Sequence, residues 1–273
     1  MPLRMPEVLI CWTLFLAPAM AGQQLSVQQI VDKSVAVNHA DFEAGTRFNW
    51  IETDKNAKGV KTYRVTMLYG TPYYRLTELN GQPLSASAEA EQAAKERRVI
   101  ATRRNESAEQ RRERIDKFEK ERKRDNAMMQ EMANAFDFTM VGVRKIHGYG
   151  VYVLKATPKS GYKPSSMETQ VLTGMHGELW IDQNAFHWVK VTAQVIHPVS
   201  IEGFLAEVEP GTQFELDNRP VGDSGAWQPS HFSMRSNARV LHFFTRESND
   251  DETYTDYKLV SASRDAAGQS SRP

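Results

Sequence analysis

The sequence predicts a mainly β, α+β protein: an unclosed, strongly curved antiparallel β-barrel of about eleven strands, with a covering N-terminal helix and a long charged helical insertion. Three observations carry this reading. Most of the chain from Thr46 to Leu259 alternates apolar and polar residues in short runs, joined by Gly-, Pro- and Asn-containing links too short for helical crossovers. One segment, Ala86–Ala135, holds neither glycine nor proline and is dominated by Ala, Glu, Lys, Arg and Gln, a strongly helical composition. A single short amphipathic stripe precedes the first strand, so one helix is available to cover the sheet.

The first 21 residues read as a secretory signal. Arg4 is the basic start, Val8 to Leu16 is apolar, and Ala19-Met20-Ala21 ends the run with a small-x-small cleavage site. Cleavage is expected after Ala21, leaving one domain over 22–261 and a disordered tail over 262–273 rich in Ser, Arg, Asp and Gly. Cys11, the one cysteine among 273 residues, falls inside the signal. The exported chain therefore has no disulfide, thiolate metal site or cysteine nucleophile, and rests on an ordinary core. Lys and Arg total 34 and Asp and Glu total 34, a balance that argues against an electrostatic grip on nucleic acid. No later segment is apolar enough for a transmembrane helix.

The elements follow in order. Ser26 is placed as an N-cap with Gln29 at capping-box spacing, and Leu25 and Ile30 stand where a hydrophobic staple forms. Val27, Ile30, Val31 and Val35 make the apolar stripe of the helix. Thr46–Thr53, Val60–Tyr69 and Pro72–Leu79 form a three-strand meander that ends at Asn80-Gly81. The insertion 86–135 interrupts it, with a bend near Thr102–Ser107. Its 13 basic and 11 acidic residues leave only +2, so it reads as a solvated arm laced with ion pairs that rests on the body at its ends. Strands resume at Phe136 and Val151, then at Gly177–Asp182, Phe186–His197, Phe204–Val208, Gln213–Leu216, Ser230–Arg235, Val240–Thr245 and Thr253–Leu259. Gly142 and Gly148–Gly150 read as bulges or turns.

Chemistry-bearing patterns are sparse. Seven histidines occur without H-x-H, H-x-x-x-H or H-E-x-x-H spacing. His187 and His197 fall at opposite ends of one strand, His176 and His231 in turn-rich stretches, and all read as scattered rim residues. No G-x-S-x-G elbow or phosphate-binding glycine loop is present, and the acids of Asn249–Glu252 read as a polar hairpin tip. No catalytic residue, metal ligand or cofactor is therefore expected. What remains is the inward face of the strands: Phe48, Trp50, Tyr63, Val65, Met67, Tyr74, Phe138, Met140, Tyr152, Leu154, Phe204, Phe232, Met234 and Phe243. A curved sheet of this size encloses more volume than one short helix fills, and a lining of Met and aromatics suits apolar chains of variable shape.

The segments Gly177-Glu178-Leu179-Trp180-Ile181-Asp182 and Phe186-His187-Trp188-Val189-Lys190-Val191, placed after a signal, a short helix and a meander, resemble the periplasmic outer-membrane lipoprotein carrier (LolA/LolB-like) superfamily. Asn80-Gly81-Gln82-Pro83-Leu84-Ser85, Phe136-Asp137-Phe138 and Ala156-Thr157-Pro158 look like a poorly characterised bacterial branch of it. The resemblance implies a half-barrel whose apolar cavity holds acyl chains of a lipid or lipoprotein in the periplasm, without catalysis. The helical arm departs from the familiar carriers, and an envelope protein engaged by that arm is the alternative partner.

Overall fold

A computed structural model of the chain describes residues 25–166, 168–201, 206–240 and 244–260. The signal segment 1–21, Phe204, Phe243 and the tail from Ala262 lie outside the described residues. Helix α1 (Val27–Ala44) starts at Ser26, whose side chain accepts from Gln29 N while Gln29 reaches back to the Ser26 N–H, the capping box expected from the sequence. The meander follows as β1 (Phe48–Asn56), β2 (Gly59–Leu68) and β3 (Thr71–Leu79), with a two-residue β4 (Gln82–Pro83). Two of its turns, Tyr69-Gly70 and Asn80-Gly81, put both residues in the left-handed region, at φ 51° and 90°, and 53° and 73°. That backbone twist matches a tight antiparallel hairpin.

The insertion forms two helices, α2 (Ala86–Arg104) and α3 (Ala108–Ala135), which break at Asn105 before a second capping box on Ser107 and Gln110. The remaining strands are β5 (Phe136–Ile146), β6 (Tyr149–Pro158), β7 (Met175–Asp182), β8 (Trp188–Val195), β9 (Val199–Ile201), β10 (Ala206–Val208), β11 (Gln213–Pro220), β12 (Trp227–Val240) and β13 (Phe244–Leu259). All pair antiparallel. The continuous path runs β4-β3-β2-β1-β13-β12-β11-β8-β7-β6-β5, eleven strands, with β9 and β10 attached to β12. Among the described residues the two edges, β4 and β5, do not join, so the curved sheet is open. The bulge expected at Gly142 is present, since pairing of β5 with β6 slips between Met140 and Gly142.

Several expectations need correction. Val240–Thr245 is not one strand: β12 ends at Val240 and β13 starts at Phe244. Asn249–Glu252 is no hairpin tip, because Asn249, Asp250 and Asp251 pair with Arg235, Met234 and Ser233 inside the β12–β13 ladder. Acids sit there because alternate positions on an open sheet face solvent, which a charge cluster in sequence does not distinguish from a turn. His176 and His231 likewise lie within β7 and β12.

The core fills one half of the sheet. Ile30 and Val31 of α1, with Met132, Ala135 and Phe136 at the end of α3, pack on Leu154, Leu179, Ile181, Val191 and Val195. The arm straddles the other half. Tyr73 and Arg75 alternate with Pro72 and Tyr74 along β3, so the two pairs project from opposite faces. Arg75 pairs with Glu89 and, at 2.7 Å, with Glu96, which sets α2 on its face. Pro72 and Tyr74 share a cavity with Phe118 and Arg122, which sets α3 on the other.

Arginines fasten the arm. Arg103 donates to Leu68 O and Thr71 O, each at 2.9 Å. Arg114 donates to Thr71 Oγ1 at 2.6 Å and Tyr69 O at 3.1 Å. Arg114 also holds Glu106, whose carboxyl its hydrogen bonds keep below the usual carboxylate range. Gly70 is needed at this turn: its φ is left-handed, and a Cβ would stand 3.1 Å from Ile115 Cδ1. The arm is therefore docked along its length rather than solvated between its ends. Arginine forks saturate the carbonyls of a tight turn, and a charge count cannot separate that from exposure.

Candidate functional site

Between α1, α3 and the concave face of β1–β3 and β11–β13 lies a cavity of about 520 Å³. That falls within the range of about 300–1,000 Å³ typical of small-molecule sites. Helix α1 contributes Asn38, Asp41 and Phe42, and α3 contributes Phe118, Glu121, Arg122, Asn126 and Met129. The strands supply Trp50, Met67, Pro72, Tyr74, Leu216, Trp227, Pro229, Tyr254 and Tyr257. Most of this lining is apolar or aromatic.

Asp41 fixes the α1 wall. Buried at the helix end, it accepts from Trp227 N at 2.9 Å and bonds His187 Nδ1 at 2.6 Å, while its carbonyl accepts from Gln228 Nε2 at 2.7 Å. His187 lies flat on Trp227, with ring centroids 5.2 Å apart and planes within 14°. This histidine is a half-buried latch on α1, not the scattered rim residue expected from the sequence. The pair ties the end of α1 to the start of β8 and, through Trp227 and Gln228, to β12. Arg122 fixes the α3 wall: its guanidinium stacks 4.1 Å from the Phe42 ring centre and donates to Phe42 O at 2.7 Å.

The floor is an aromatic cluster. Trp50 and Tyr257 stack at 6.2 Å, and Tyr74 stands edge-on to Trp50 at 6.5 Å and 88°. Glu52 accepts from Trp50 Nε1 at 2.9 Å. Burial, reinforced by Asp54 and Glu252, pushes its carboxyl up from 4.5 to about 7, despite the Trp50 bond that opposes the rise. Burial also raises Tyr74, Tyr254 and Tyr257; Glu52 adds to Tyr74 and Tyr257, with Glu252 behind it on Tyr74, and Glu252 acts ahead of Glu52 on Tyr254.

Of the residues expected to line an apolar space, Trp50, Met67 and Tyr74 face this cavity. Val65 is fully buried on β2 opposite Trp50, and Tyr63 sets its ring edge-on to Tyr74 at 6.1 Å. Phe48 is fully buried against Ala44 and Ala226. Leu154 belongs to the packed core under α1, with Phe138, Met140 and Tyr152 against it. Phe232 and Met234 sit on β12, partly buried, and Phe232 tilts against Phe214 at 6.5 Å.

The residues the sequence did not expose have two sources. Phe42 falls outside the apolar stripe expected for α1, and Phe118, Arg122 and Met129 belong to an arm expected to be solvated between its ends. Tyr254 and Tyr257 are three apart, which puts them on opposite faces of a regular strand. A register shift brings them together: Ile51 pairs with Thr255 and Asn49 with Lys258, and Asp256 takes φ 55°.

A second cluster lies on the outer face. Ligand atoms of Glu215, Asp217 and His231 stand within 4.8 Å of one another. The Lys190 ammonium bonds Glu215 and lies 3.6 Å from Asp217, and His231 Nε2 is 3.1 Å from Asp251. Lysine supplies the cation this cluster needs, so it reads as a cross-strand charge network.

The fold and cavity together define an open, helix-covered half-barrel with an internal cavity. No family model matches the sequence, and no curated protein matches it. Among solved structures the chain is similar to a LolA superfamily protein from Nitrosomonas europaea, at 12% identity and TM-score 0.33 over 87% of this chain and 94% of that one. It is also similar to an outer membrane lipoprotein-sorting protein domain from Vibrio parahaemolyticus, at 10% identity and TM-score 0.32 over 89% and 95%. A DUF1329 family protein from Desulfovibrio piger aligns at 9% identity and TM-score 0.31 over 88% and 97%. The superfamily that the sequence motifs resemble is the one named for the first of these. At such scores the architecture rests on the chain's own strand order and register.

Proposed function

We propose that the protein is a non-enzymatic periplasmic binding protein, exported by the signal over 1–21, that holds acyl chains of a lipid or lipoprotein as a carrier or sensor. The observation that supports it is the cavity of about 520 Å³ between α3 and the sheet, walled by Phe42, Met67, Phe118, Met129 and Leu216. Helical cover with flexible methionine contacts accommodates chains of different length and kink. Among the described residues no helix is long and apolar enough to cross a membrane.

The helical arm belongs to this reading because α3 is a wall of the cavity. Deleting the whole arm would therefore remove the binding space along with any partner surface. The test is uptake of a fluorescent fatty-acid analogue by delipidated protein. Saturable binding, displaced by a lipopeptide and abolished by Leu216→Trp, is expected. A folded protein that takes up no probe overturns the proposal.

A further inference from the structure

We infer that the aromatic end of the cavity selects a cargo whose head carries an ammonium group, with Trp50, Tyr74 and Tyr257 presenting ring faces and Glu52 the counter-charge. This rests on the acyl-chain reading of the same cavity. Two features meet there. The rings of Trp50 and Tyr74 stand at 88° and Tyr257 stacks on Trp50, so the three form a corner with π surface on adjoining sides. Ring faces are electron-rich and attract an alkylammonium, most strongly where water is excluded.

Glu52 lies among these rings, opposite Tyr254 on one flanking strand and Tyr63 on the other. Among the described residues no cation pairs with it. The charged groups that act on it, Asp54 and Glu252, are both acids, and Lys61 is engaged with Asp54. Trp50 Nε1–H is its one hydrogen-bond donor. Glu52 stands behind the lining, bonded to the Trp50 indole; a carboxylate left without a cation there is destabilised by desolvation, and an ammonium seated on the ring faces relieves it. At the opposite end the Glu121 carboxylate lines the cavity next to the Arg122 guanidinium, which Glu119 and Phe42 O hold, so an ammonium there has a cation as its neighbour. A long-chain amphiphile then seats its chain toward Phe118 and Met129 and its head toward Trp50.

Calorimetry on the delipidated full chain tests this with dodecyltrimethylammonium and the uncharged dodecyl maltoside, each below its micelle concentration. At about pH 8 the cationic probe is expected to bind about tenfold more tightly. Glu52→Gln should bring the two within about twofold while leaving the neutral probe unchanged. Tyr74→Leu, at a side chain 43% exposed and so outside the core, should shrink the preference in the same way. Lowering the pH to about 6 should also shrink it, as Glu52 takes up a proton.

Equal affinities for the two probes, or a preference untouched by Glu52→Gln, overturn the inference while the cavity reading stands. Failure of the neutral probe to bind overturns the cavity reading itself. Tetramethylammonium binding as tightly as the chain-bearing cation overturns the lipid assignment in favour of a free cation.

Discussion

The β5–β8 half of the sheet and the β1–β3 half with β13 both carry large apolar and aromatic residues on their concave side, yet only the first is filled. Under α1, Leu154, Leu179, Ile181 and Val191 are at most 1% exposed, and Ile30 and Val31 of the helix interdigitate with them. Across the sheet Trp50, Tyr63, Tyr74 and Tyr257 meet edge-on or stacked, and Tyr74 remains 43% exposed. The cover explains the difference. Helix α1 lays an aliphatic stripe into the sheet, whereas α3 approaches its half through Phe118, Arg122 and Met129, tethered by guanidinium contacts rather than by close packing. Greasy composition alone does not leave a space; the way its covering helix is held does.

The largest effect should come from breaking the filled half. Leu154→Ala is expected to cost about 2–5 kcal/mol in urea unfolding, and Tyr74→Ala in the open half about 1 kcal/mol, because a half-exposed side chain facing a cavity loses fewer contacts. Similar losses at both sites would erase the distinction. Next is the latch between the halves. Asp41→Ala leaves the Trp227 N–H and His187 without their acceptor and should cost about 2–4 kcal/mol, with faster amide exchange at the end of α1.

Glu52 sharpens the contrast through pH. Folded, its carboxyl titrates near 7, against 4.5 as its ordinary value, so between these the native state binds the extra proton. Stability therefore falls as pH rises through this window and stays lower above it. Glu52→Gln should add about 1–2 kcal/mol near pH 8, after discounting for its half-exposed position, and nothing below about pH 4.5. Unfolding of wild type and variant in parallel between these pH values checks the sign. The smallest effect is Ser107→Ala, which removes the cap of α3 and should cost about 1 kcal/mol, seen as increased exchange in its first turn.

Much of the fold is legible from residue order. The capping box at Ser26, the Asn80-Gly81 turn, the bulge at Gly142 and the break in the arm near Thr102–Ser107 all follow from local chemistry. Strand lengths were less legible where polar residues fill both faces, as in β12 and β13. The site was legible in part. Trp50, Met67 and Tyr74 sit on regular strands whose period names their face, while Tyr254 and Tyr257 share a face through an irregular register. Arg122, one of the 13 basic residues of an insertion that reads as solvated, is a clamp on Phe42.

By itself the sequence determined the kinds of element, their order and most of their ends, because capping, turn chemistry and alternation act between residues a few positions apart. Only the tertiary structure decided that α2 and α3 straddle the β2–β3 end of the sheet, that Asp41 reaches His187 and Trp227, and that a cavity opens over one half. Those outcomes depend on contacts between residues far apart in sequence, such as the 187 positions from Asp41 to Gln228, whose geometry no local period encodes.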